Sequence, residues 1–113
     1  MKHLKYFESE QNLPKINDYV LCDIKWENWI SELDIYIKEN IGQIIDIRTV
    51  YSNISQTIIT RTFIIKYKKN LTTLGYHNKY LDVFKSKIVT WSENKADIED
   101  YIETIKQKNE YNL

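Results

Sequence analysis

The side chains able to do chemistry are few and scattered. His3, His77 and Cys22 are the only His and Cys residues, and they share no metal-ligand spacing. The two glycines, Gly42 and Gly75, stand too far apart to build a phosphate-cradling loop or a nucleophile elbow. Asp97, Glu99, Asp100 and Glu103 crowd together, but they flank an apolar helical stripe and read as a solvated face rather than as paired catalytic carboxylates. Cys22 falls on the inward side of a predicted strand, where a free cysteine behaves as a small hydrophobe. The expectation is a protein that is not an enzyme and holds no metal or cofactor.

One signal remains, and it concerns binding. The chain is formally neutral, with 16 Lys and Arg against 16 Asp and Glu, so no global field draws it to nucleic acid or anionic lipid. The charges are unevenly spread. Between Arg61 and Lys87 lie seven cations and a single acid, Asp82. Arg61, Lys66, Lys68, Lys69, Lys79, Lys85 and Lys87 are interleaved there with Tyr67, Tyr76 and Tyr80. Cations beside aromatic rings are what a groove for single-stranded nucleic acid uses. A plainer explanation competes: lysines at strand edges discourage aggregation, and buried tyrosine is ordinary core material. A protein partner is therefore the first expectation for this surface and nucleic acid the second.

The elements that must position these residues can be read from periodicity. At 113 residues the chain suits one domain with one core. The lone cysteine allows no internal disulfide and fits a reducing compartment, and no apolar run reaches the roughly 20 residues of a membrane span. Residues 1–15, broken by Pro14, read as a tail or leader, and 16–113 as a single domain. Val20, Cys22 and Ile24 alternate onto one face, as a half-buried strand requires. Trp26, Trp29, Ile30, Leu33 and Ile37 then fall at helical spacing, predicting an amphipathic helix from Lys25 to Glu39 that ends at Asn40.

Gln43–Val50 and Gln56–Lys69 predict a hairpin, with Phe63, Ile65, Tyr67 and Arg61 on one side of its second arm. Asn70–Asp82 reads as a loop and Val83–Trp91 as a last strand. Ser92 and Asn94 are candidate caps for a closing helix whose apolar stripe is Ile98, Tyr101, Ile102 and Ile105. The order is that of an α+β domain.

Two short stretches carry a resemblance. Asn17-Asp18-Tyr19-Val20 and Ile41-Gly42-Gln43-Ile44-Ile45-Asp46-Ile47 resemble the opening of SH3-like small barrels of the KOW or Tudor type, with Asn17 where those domains often carry Gly. The resemblance implies a small β-barrel of four to five antiparallel strands with an inserted amphipathic helix and a C-terminal helix. The start at Met1-Lys2, with Leu4, Lys5, Phe7 and Glu8, and the stretch Trp91-Ser92-Glu93-Asn94-Lys95-Ala96-Asp97-Ile98-Glu99 also resemble small uncharacterised proteins of large tailed bacteriophages. That likeness implies a phage accessory protein acting in the infected cell or inside the virion by binding a macromolecule. Its alternatives are an inhibitor of a host enzyme or defence complex, and a nucleic-acid-binding barrel. It further implies that the leader could be cut after Glu8 or Glu10.

Overall fold

The first strand forms but is buried on both faces, Leu21 at 7% exposure lying between Val20 and Cys22, so the alternation of a half-buried strand does not hold. Val20 and Cys22 of β1 (Tyr19–Cys22) are fully buried, and the chain reaches them through a tight turn at Lys15–Asp18. There the Asp18 carboxylate accepts from the Lys15 N–H at 2.9 Å, and the Asp18 N–H donates to the Lys15 carbonyl at 3.0 Å. Asn17 has a φ of 81°, the left-handed region that the third position of a type II turn demands and that Asn tolerates. The computed structural model describes residues 13–25, 31–51, Ile54 and 58–111, with the backbone alone at 58, 59 and 109–111.

The first helix is shorter than its hydrophobic period suggests. Helix α1 (Glu32–Glu39) starts at Ser31, whose hydroxyl accepts from the Asp34 N–H at 3.2 Å while Asp34 accepts from the Ser31 N–H at 2.9 Å. This capping box fixes Ser31 in an extended conformation, φ −109° and ψ 170°, so one helix cannot run unbroken from Lys25. Trp26, Trp29 and Ile30 lie outside the described residues. Ile37 carries the buried side of α1, which packs on β1 and on a 3-10 turn at Leu71–Leu74.

The predicted hairpin forms as β2 (Gly42–Tyr51) and β3 (Ile58–Lys66). Ile44 faces Ile65, and Ile47 faces Phe63. Ile44, Ile65, Phe63 and Tyr67 form the heart of the core with Val20, Cys22, Ile37, Leu71, Leu81, Val83 and Ile88, and Ile47 packs against it partly buried. Gly42 is needed where β2 begins, because a Cβ there would run into Ile65 and stand 2.8 Å from the Tyr67 ring. β3 is two-sided: Ile64, pointing away from Phe63 and Ile65, is only 7% exposed.

The predicted last strand, Val83–Trp91, is two strands. β4 (Leu81–Phe84) pairs with β3, a 3-10 turn at Lys85–Lys87 reverses the chain, and β5 (Ile88–Ser92) returns to pair with β1. All neighbours are antiparallel in the order β4-β3-β2-β1-β5. The sheet is open, since β4 and β5 end it and share no ladder, so the closed barrel of the sequence reading is not formed among the described residues. Its β4 edge is blunted: the Tyr76 hydroxyl accepts from the Asp82 N–H at 3.3 Å and donates to the Asp82 carbonyl at 3.5 Å. Helix α2 (Lys95–Tyr111) follows β5, burying Ile98 while Tyr101 and Ile105 stay partly exposed. No helix among the described residues is long and apolar enough to cross a membrane.

Candidate partner-binding surface

The basic segment is folded into two separate patches. β3 and β4 are antiparallel, so the pairing Ile65↔Leu81 gathers Lys66, Lys68, Lys69, Lys79 and Tyr80 at one end of the hairpin. The pairing Thr62↔Phe84 gathers Arg61, Lys85 and Lys87 at the other. Arg61 and Lys66 lie about 17 Å apart along β3 at the usual strand rise. The two groups of cations are thus set apart along β3.

At the first end the rings are structural. Tyr67 is 5% exposed and sits edge-on to Tyr36, with centroids 5.8 Å apart; it is not a surface platform. Burial pushes its phenol well above the ordinary range, with the neighbouring Cys22 thiol adding to the shift. The same burial pushes Cys22 up to about 12, so this thiol stays protonated and unreactive at neutral pH. The Tyr36 hydroxyl accepts from the Lys69 N–H at 3.1 Å, and the Lys69 ammonium stands 5.4 Å from the centre of the same ring. Tyr76 lies against His77 at 4.3 Å, with its hydroxyl engaged by β4. Lys79 stands 5.6 Å from the centre of the Tyr80 ring.

What this end offers a partner is positive charge. Lys66, Lys68, Lys69 and Lys79 are all exposed. They are held on a frame made stiff by the 3-10 turn, whose start is capped by the Asn70 side chain on the Thr72 N–H and whose end is Gly75 at φ 93°.

The second end is built differently. Arg61, Phe84 and Lys85 line a groove of about 360 Å³ together with Leu13 and Phe63. Lys85 also places its ammonium 5.1 Å from the centre of the Trp91 ring. Phe84 is 54% exposed, and among the described residues no cation or second ring stands against its face. Sequence reading missed Phe84, because an aromatic residue inside an expected strand looks like core. Alternation along β4 buries Leu81 and Val83 and turns Phe84 to the opposite face.

The remaining candidates have no site around them. His77 is exposed, and the acids Asp97, Glu99, Asp100 and Glu103 are exposed on α2, as a solvated helix face requires. Among the described residues no group of three or more His, Cys, Asp or Glu is arranged to hold a metal ion. Glu8 and Glu10, the expected cleavage positions, and His3 lie outside the described residues. Set against family models, curated proteins and solved structures, the chain matches none.

Proposed function

We propose that this is a non-enzymatic accessory protein of a large tailed phage, built as an SH3-like small barrel left open. In this reading it binds a protein partner through the lysine end of the β3–β4 hairpin. The observation that carries the proposal is the exposure of Lys66, Lys68, Lys69 and Lys79 around tyrosines whose rings or hydroxyls are already engaged. Such a surface recognises carboxylates by charge and offers bases little to stack on. The barrel reading is supported by the return of β5 to β1 after a single 3-10 turn. It is also supported by Asn17, whose left-handed backbone fills the place of a glycine, and by Gly42 at a close approach to the core.

The test is a pull-down from host lysate with the tagged chain, run beside a Lys68→Glu/Lys69→Glu variant. A protein retained by the wild type at moderate salt and lost by the variant supports the reading, and recovery of nothing specific overturns it. If the retained partner is a host enzyme or defence complex, adding the protein to it should lower its activity, which is the inhibitor form of the proposal. Processing of the leader is read separately: virion-borne protein that keeps Met1 rules out cleavage after Glu8 or Glu10.

A further inference from the structure

We infer that the groove at the opposite end of the hairpin is a stacking site for single-stranded nucleic acid, with Phe84 as the platform and Arg61 as the phosphate contact. Three observations converge on it. Phe84 ends β4 with more than half its surface exposed, which for a phenylalanine is costly unless something covers it. Among the described residues no cation or second ring stands against its face, whereas Tyr36, Tyr80 and Trp91 each lie beneath a lysine ammonium. Arg61 lines the same groove and makes no ion pair among the described residues.

The dimensions suit the ligand. A volume of about 360 Å³ is at the small end for ligand sites and takes a nucleobase-sized group, leaving the backbone to run along the rim. Thr60 and Ser86, also in the lining, supply hydroxyls for base edges or phosphate. Lys85 follows Phe84 directly, and its position over Trp91 holds a second cation near that path. The nearest described acid on these strands, Asp82, is turned toward Arg48 at 4.0 Å. A strand of phosphates therefore meets arginine and lysine at the rim and an exposed ring between them, the pairing of charge and π-face that single-strand binders use.

The experiment is fluorescence anisotropy of the full chain at low salt with a labelled oligothymidylate of about twelve nucleotides, within the usual site size. Phe84→Ala should weaken binding about tenfold, the lower part of the range for loss of one stacked base, and Phe84→Tyr should restore it. Arg61→Ala should weaken binding and lower its salt dependence by about one counterion. Lys68→Glu/Lys69→Glu, which disables the lysine end, should change it less than Phe84→Ala, so this inference and the protein-partner proposal fail independently. An abasic oligonucleotide binding as tightly as the normal one, with no effect of Phe84→Ala, overturns the inference. So does displacement of the oligonucleotide by a capped Glu-Phe-Glu peptide at lower concentration, which would assign the groove to acidic peptides. Phe84 is exposed enough that circular dichroism of its variants should match that of the wild type.

Discussion

The two ends of the β3–β4 hairpin share a composition, lysine or arginine beside aromatic rings, and use it in opposite ways. At the Lys66–Lys79 end the rings face inward or are engaged: Tyr67 is core, Tyr36 and Tyr80 are covered by lysines, and the Tyr76 hydroxyl is committed to β4. At the Arg61–Lys85 end Phe84 is 54% exposed, with no cation or second ring against it among the described residues. The difference teaches that aromatic content in a basic segment says nothing about stacking until the burial of each ring is known. Tyr67 and Tyr80 look equivalent in the sequence, yet only one anchors the fold.

The largest test of this contrast is chemical. With its thiol pushed from the ordinary 9.0 up to about 12, Cys22 should react with a thiol reagent at pH 8 roughly a thousandfold more slowly in the native protein than in urea-unfolded chain. Labelling at the unfolded rate would mean that the lysine end has no dry interior. The same shift sets a pH dependence. A group held neutral by the fold contributes its full stability below pH 9, and that contribution fades as pH rises toward 12 because the unfolded thiol ionises first. Thermal melts between pH 8 and pH 11 should therefore show a falling midpoint, reinforced by Tyr67, whose phenol is shifted the same way.

Next in size is Tyr67→Ala. It should cost about 3–5 kcal/mol in urea denaturation, as deletion of a buried ring does, while Tyr80→Ala should cost well under half of that. Equal costs would erase the distinction between the two tyrosines. Gly42→Ala should cost roughly 1–3 kcal/mol by overpacking, since the added methyl meets Ile65 and the Tyr67 ring. Combined with Tyr67→Ala, it should lose only part of that penalty, because the ring is gone while Ile65, the nearer obstacle, remains. The smallest effect belongs to the Arg61–Lys85 end: Phe84→Ala should leave stability within about 0.5 kcal/mol while changing binding. A large loss of stability there would make Phe84 a structural residue and collapse the comparison.

Where sequence signals were local and repeated, they could be read. The apolar run Val20–Cys22 announced β1, the β-branched runs announced β2 and β3, and the pair Ser92 and Asn94 announced the start of α2. Where two signals competed, the longer one misled. The apolar spacing from Trp26 onward hid the Ser31/Asp34 capping box, although both residues stand at the right separation for one. A three-residue turn has no period of its own, so Lys85–Lys87 dissolved into a single expected strand, whereas the exposure of Phe84 follows from its alternation with the buried Val83. The lysine end was legible as charge, whereas the packing of its tyrosines was not. The depth of Tyr67 depends on Gly42 and Ile65, and the placement of Tyr36 on a helix distant in sequence.

A sheet that stops at β4 should invite a stranger's strand, yet the phenol of Tyr76 occupies the one N–H and C=O pair that such a visitor would need at Asp82. A side chain thus stands in for an absent neighbour at this residue of the edge. Replacing that phenol with phenylalanine would keep the ring and free the Asp82 N–H and C=O, so the oxygen atom, rather than the bulk around it, is what occupies this border.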